Sequence, residues 1–226
     1  SKAADTAGGS AKDAPAEGTP AQRTIWETVK HHFAVSACIL QKDARIGKII
    51  GFYSVVFAAH TLLFFYSQQY FADFGYNKVQ ISVIMLLVGG ASCFGALASE
   101  KMYRRFGKRC LIPETVIIAA AILCYGAGKA GVTAAALMCA GFANAALYPI
   151  QSDSLNALIP SEQRATLISV DSMCFSIAMI VLFPLAGAFA DRWGLKTVLL
   201  LLGAILLLFL LAAFCIEKES FSSDHS

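Results

Sequence analysis

Charge is what this sequence has least of: Asp, Glu, Lys and Arg make up 15% of its 226 residues, against roughly 25% in an ordinary soluble domain. Hydrophobic residues reach 57% and the mean hydropathy is +0.63, which excludes an ordinary soluble enzyme. The net charge is only +3, and the positive residues follow loops instead of forming one basic face, so no nucleic-acid partner is implied. Cysteine pairs are missing too. The seven cysteines, at 38, 93, 110, 124, 139, 174 and 215, contain no Cys-x-x-Cys and mostly fall in apolar segments, so they read as small packing residues, with no metal site and no disulfide framework. No nucleotide-binding loop is present, and no cofactor is expected. Residues 1–22 contain no Val, Ile, Leu or aromatic residue. Such a stretch cannot bury enough surface to offset its ordering entropy, and a disordered linker is expected there. It also lacks the charged start and apolar middle of a signal peptide, and with Ser at position 1 the chain is expected to be a segment of a longer protein.

What is present is a series of intervals free of Asp, Glu, Lys and Arg: 49–72, 79–99, 115–128, 130–152, 172–190 and 197–216. At 1.5 Å per residue the first would give about 36 Å of helix, enough to cross a hydrocarbon core of roughly 30 Å with some tilt. The segments lack the alternation of barrel strands, and backbone polar groups cannot go unpaired in lipid, so each is expected to be an α-helix. The predicted spans are about 49–72, 79–98, 111–128, 131–152, 165–190 and 197–216, with 217–226 as a tail. The third is long enough only if Glu114 lies at a helix end.

Before the first span, Thr24 and Glu27 have capping-box spacing, and Trp26, Val29, Phe33, Ala37 and Leu40 recur at steps of three and four. Residues 23–48 are therefore read as an amphipathic helix and central loop on the cytoplasmic side, lying either along the membrane surface or under the bundle. With that side inside, six crossings leave 12 Lys and Arg inside and 4 outside. The asymmetry predicts both ends of the segment in the cytoplasm and a multi-pass protein of the cell membrane.

An internal repeat follows from the ends of the second and fifth spans. Gly95-Ala96-Leu97-Ala98 matches Gly187-Ala188-Phe189-Ala190, and each leads into a charged turn, Arg105-Phe106-Gly107-Lys108 in one case and Arg192-Trp193-Gly194-Leu195-Lys196 in the other. Three helices separate the copies, which places them on opposite membrane faces, as in an inverted 3+3 repeat. The predicted fold class is thus an all-α membrane protein of six transmembrane helices.

The string Gly187, Ala190, Asp191, Arg192, Gly194, Lys196 resembles the signature loop of the major facilitator superfamily, and Gly95 through Arg109 resembles a degenerate copy with Ser99 in place of the frequent Asp. Residues Ile159 through Thr166 are similar to the loop before that family's eleventh helix, and Pro184 through Gly187 to that helix's outer end. The resemblance covers about residues 24–216. It implies the C-terminal six-helix half of a secondary carrier that moves a small solute by alternating access, with a missing N-terminal half as partner. It also implies a coupling or gating role for Asp191, Arg192, Arg105 and Arg109, although the basic loop 101–109 is most simply a topology signal.

Polar residues concentrate in the first span (Ser54, His60, Thr61, Ser67, Gln68, Gln69), the second (Gln80, Ser82, Ser92), the fourth (Asn144, Gln151, Ser152) and the fifth (Ser169, Asp171, Ser172, Ser176), while the third and sixth are almost bare. Polar groups in a bilayer normally face a bundle interior or a watered cavity, so four helices are expected to line something and two to face lipid. Asn144, Tyr148 and Gln151 lie at i, i+4 and i+7 on one helical face, a substrate-facing stripe or a seam of interhelical hydrogen bonds. His60, in mid-span, either couples protonation to transport or is satisfied by a neighbouring helix. Gln68 and Tyr66 contact solute or cap the membrane interface. Asp171 is the deepest carboxylate, and at roughly 2.5–3.5 kcal/mol for an ionisable group in a span it needs a reason, either coupling or an ion pair with the basic inner loop.

Two other classes compete with a carrier. One is a non-transporting membrane sensor or assembly subunit. The other is an intramembrane serine protease, because Gly90-Ala91-Ser92-Cys93 has the Gly-x-Ser-x form of the rhomboid enzymes. That chemistry needs a histidine to deprotonate the serine. Only His60 lies within a span, and it precedes the serine, so no catalytic residue is assigned and no enzyme is expected.

Overall fold

The computed structural model describes residues 44–107, 111–158 and 164–223. Six α-helices account for nearly all of them: α1 Ala44–Asp73, α2 Lys78–Phe106, α3 Leu111–Cys124, α4 Ala130–Asn156, α5 Arg164–Trp193 and α6 Leu195–Ser223. No strand occurs among the described residues. The expected linker and most of the amphipathic helix, residues 1–43, lie outside them.

Local chemistry sets the helix ends. α2 opens on a complete capping box, in which Asn77 Oδ1 accepts from the Gln80 backbone N–H and the Asn77 N–H donates to Gln80 Oε1, both at 2.9 Å. It runs on past the apolar interval to Phe106, with Arg104 donating to Glu100 at 2.6 Å one turn away. α5 and α6 are joined by Gly194 alone, at φ +83°, a conformation that costs a side-chain-bearing residue. Its N–H donates to the Ala190 carbonyl at 2.8 Å and closes α5.

Five of the helices are long and apolar enough to cross a membrane, and the shorter one is α3. Its 14 residues continue through the 3₁₀ turn Tyr125–Ala127, giving about 27 Å in all. Glu114 does lie in its first turn, but is fully buried there. The sequence reading that leaves the third span to lipid therefore needs correcting, because Thr115, Ile118, Ala119 and Ile122 are also buried and only one face of the helix, with Ile112, Val116 and Ile117, is exposed.

The helices pair crosswise. α2 packs chiefly on α4, α1 on α5, and α3 on both α4 and α6. Glycines permit these approaches. A Cβ on Gly95 would collide with the backbone of Phe142, and one on Gly141 would lie 2.8 Å from Ser92 Oγ. Across the α3/α6 crossing, Gly126 meets Leu200, and a Cβ on Gly203 would come within 2.9 Å of Leu123. Close backbone approach is how helices associate where lipid supplies no hydrophobic drive.

Burial follows this pairing more than it follows the polar count. In α1, 56% of the apolar window is buried, against 11% in α2 and 6% in α5. α2 presents Leu86, Phe94 and Leu97 outward, and α5 presents Ile177, Ile180 and Val181. Four of the five serines that mark these two helices as polar in the sequence have partners within their own turns: Ser82, Ser92, Ser169 and Ser176 each donate to the carbonyl four residues earlier. A hydroxyl satisfied by its own backbone needs no cavity. Gln80, for its part, is a helix cap.

Candidate functional site

Four of the polar residues named from the sequence, His60, Thr61, Ser92 and Asn144, meet near the middle of their helices. His60 on α1, Ser92 on α2 and Asn144 on α4 line one cleft of about 360 Å³, together with Thr61 and the apolar Phe64, Met85, Val88 and Gly89. The α2/α4 crossing at Gly95 and Gly141 brings two of its walls together. Thr61 donates to the Phe57 carbonyl at 2.7 Å and Ser92 to that of Val88 at 2.9 Å, so both hydroxyl protons are engaged. His60 Nε2 and Asn144 Oδ1, in contrast, are buried and have no hydrogen-bond partner among the described residues. Polar atoms left in that condition lose the free energy of a bond to water, which a solute could restore.

The cleft also holds the two residues that the protease alternative would need. Ser92 and His60 share it, but the serine proton goes to a backbone carbonyl and the histidine nitrogen has no partner among the described residues. No nucleophile–base hydrogen bond joins them.

The stripe on α4 divides between environments. Asn144 enters the cleft. Tyr148, one turn on, is 57% exposed, with its ring tilted against Phe57 at 5.7 Å between centroids. Gln151 is wholly buried, and its Nε2 lies 3.4 Å from Asp171 Oδ1 on α5. The partner of Asp171 is thus an amide on a neighbouring helix, and the only ion pair among the described residues is Arg104–Glu100. Gln68 is exposed, while Tyr66 turns inward to stack on Phe183 and donate to its carbonyl at 3.4 Å. Asp191 and Arg192 are exposed at the α5/α6 turn. Arg105 is exposed at the opposite end of the bundle, its guanidinium 5.7 Å from the Phe106 ring centroid. Arg109 lies outside the described residues.

A second crevice of about 320 Å³, between α2, α3 and α4, is lined by Ala91, Ile117, Met138, Cys139 and Phe142. It offers a solute no strong hydrogen-bonding group.

Sequence reasoning missed Phe64, Met85 and Val88 as liners. A signal for them existed, since Phe64 is four residues from His60, and Met85, Val88 and Ser92 share one face of α2. Apolar residues on a membrane helix are too common for that periodicity to be distinctive. It missed the burial of Glu114 as well, whose two carboxylate oxygens have no partner among the described residues.

Residues 115–225 match the family model described as the Major Facilitator Superfamily. The chain carries a major facilitator superfamily segment. The matched stretch includes the signature-like turn at Gly187–Lys196 and α4, which supplies Asn144, whereas the degenerate copy at Gly95–Arg109 precedes it. No curated protein and no solved structure matches the chain. Major facilitator proteins move small solutes across lipid bilayers and are transporters, not enzymes. The match covers just under half of the chain, and with five helices of membrane-crossing length and composition it supports a multi-pass membrane protein of the major facilitator kind.

Proposed function

We propose that the chain is the C-terminal six-helix half of an ion-coupled secondary carrier that moves a small solute by alternating access. The observation that carries this reading is the mid-helix cleft in which His60 Nε2 and Asn144 Oδ1 are buried without partners among the described residues. The outward apolar faces of α2 and α5 are consistent with a second wall supplied by an N-terminal six-helix half.

Two features support the inverted 3+3 arrangement. The repeated strings place Gly95 against α4 and Gly187 against Tyr66 of α1, so each glycine meets the leading helix of the other triplet. Each string ends in a positive-φ glycine after an Arg–aromatic pair, Gly107 at +58° and Gly194 at +83°. In the orientation set by the charge count, residues 99–112 face the cytoplasm and 191–196 face outward. Tyr148 and Gln151 extend the solute path from Asn144 towards the α4/α5 end, Gln68 stands at the other mouth, and Asp191, Arg192, Arg105 and Arg109 belong to gating turns.

Coupling is assigned to His60 or Asp171, the ionisable groups in reach of that path. In the intact carrier, reconstituted in proteoliposomes, His60→Gln or Asp171→Asn is expected to flatten the dependence of uptake on pH while membrane insertion is unchanged. An unaltered pH profile in both variants would remove coupling from these positions. Residues 1–226 alone are expected to give no saturable flux, since one wall is missing. Uptake by a monomer of this segment would defeat the half-carrier reading.

A further inference from the structure

We infer that the solute taken by this cleft is an uncharged, hydrogen-bonding molecule of about monosaccharide size, one that presents a donor to Asn144 Oδ1 and a polar edge to His60 Nε2. The inference rests on the carrier reading above and deepens it by naming the substrate class. It starts from what the lining contains and what it does not. Among the described residues that line the cleft there is no Asp, Glu, Lys or Arg. A carboxylate or phosphate would find one imidazole and no guanidinium or ammonium. A quaternary or primary amine would find no carboxylate. An ion that leaves water for this wall gives up hydration without a counter-charge from any residue of this chain, whereas a hydroxyl or amide gives up only hydrogen bonds that the wall can return.

The unpartnered atoms then define which bonds are on offer. Asn144 Oδ1 is an acceptor, so its ligand must be an N–H or O–H donor. His60 Nε2 donates in one neutral tautomer and accepts in the other, which a hydroxyl can meet either way. The Thr61 and Ser92 hydroxyls have already given their protons to Phe57 and Val88, so they retain acceptor capacity alone. Most of the polar lining therefore asks for donors, and a polyol or primary amide is rich in them. Phe64, Met85 and Val88 supply the apolar wall against which the C–H faces of such a molecule would lie. A volume of about 360 Å³ is near the small end of the roughly 300–1,000 Å³ range of ligand sites, room on this wall for a molecule of about monosaccharide size.

The test uses the full carrier, in detergent for binding and in proteoliposomes for flux. The probes are radiolabelled glucose, mannitol and N-acetylglutamine amide as uncharged donors, succinate and lactate as anions, and choline as a cation. Saturable binding is expected for at least one uncharged probe and for neither anion nor cation. It should weaken at least tenfold in Asn144→Leu and recover in part in Asn144→Gln, which keeps the acceptor. Binding of an uncharged probe without flux would uphold the substrate class and overturn the carrier reading. Saturable flux of succinate, lactate or choline, with none of the uncharged probes, would uphold the carrier reading and overturn the class. Binding of an uncharged probe that is indifferent to Asn144→Leu and His60→Leu in correctly folded protein would overturn the assignment of this cleft, as would the absence of binding by every probe.

Discussion

The end of the bundle where α1 gives way to α2 and the cleft at its middle are built from similar residues and treat them in opposite ways. At the end, Ser67 and Tyr125 share a hydrogen bond of 2.6 Å between hydroxyls, and Tyr70 donates to the Tyr125 carbonyl at 2.8 Å. The Tyr70 and Tyr125 rings meet edge to face at 4.7 Å, with Phe71, Phe74 and Tyr76 around them. The Ser67, Tyr70 and Tyr125 hydroxyls all have partners, and α1 is tied to the end of α3 through them. In the cleft, His60 Nε2 and Asn144 Oδ1 have none among the described residues, and nearer the other end Gln151 Oε1 and the Glu114 carboxylate are in the same condition. A satisfied polar network in a medium of low dielectric rigidifies what it joins, and an unsatisfied one is costly to keep. The comparison separates polar groups that hold helices together from polar groups kept available for something else.

The largest test of that division is at the closed end. Tyr125→Ala removes a fully buried ring with its aromatic contacts and its bond to Ser67, and is expected to destabilise the protein by about 3–5 kcal/mol, read as a fall in the melting temperature in detergent. A loss under about 1 kcal/mol would show that the aromatic cluster is not what fixes α1 to α3. The counterpart in the cleft is Asn144→Ala. Since its Oδ1 has no partner to lose, stability should stay within about 0.5 kcal/mol, while the half-saturation for transported solute rises about tenfold, the equivalent of about 1.4 kcal/mol of lost binding. A large drop in stability with unchanged half-saturation would reassign Asn144 to the helix-packing group.

Smaller changes sharpen the contrast. Tyr125→Phe keeps the ring and deletes the hydroxyl, leaving Ser67 with its own backbone partner, the Leu63 carbonyl; a cost of about 1 kcal/mol is expected, with no effect on transport. Ser92→Ala should be the mildest, within about 0.5 kcal/mol in stability and within twofold in uptake, because its hydroxyl proton is already committed to Val88. Abolished activity in Ser92→Ala would revive a nucleophilic role for that serine, which its hydrogen bonding opposes.

That the chain forms six helices was legible in the sequence because apolar segments are marked by where charge is absent, and charge is the property a hydrocarbon layer penalises most. Glu114 illustrates the limit of that signal. Its charge marks an end of the third apolar interval, and α3 does begin three residues before it, yet the charge gives no sign that the side chain is buried. The polar count was less informative for a chemical reason. Ser and Thr can return a hydrogen bond to their own helix, as Ser82, Ser169 and Ser176 do, and Gln80 can close a capping box, so these residues report nothing about a cavity. Gln151 and Asp171, in contrast, reach from one helix to the next.

The sequence alone therefore determined that this chain crosses a membrane several times as helices, where the apolar intervals begin and end, and that the turn at Gly187–Lys196 resembles the major facilitator signature. These follow from the composition of short contiguous segments, which the bilayer and the backbone act on locally. Only the tertiary structure decided that His60, Ser92 and Asn144 share one cleft while Gln151 turns to Asp171, although Asn144 and Gln151 lie on one helical face. That division depends on the crossings of α4 with α2 and α5, and a crossing is fixed by backbones approaching at Gly95 and Gly141, residues whose meaning lies in what stands opposite them.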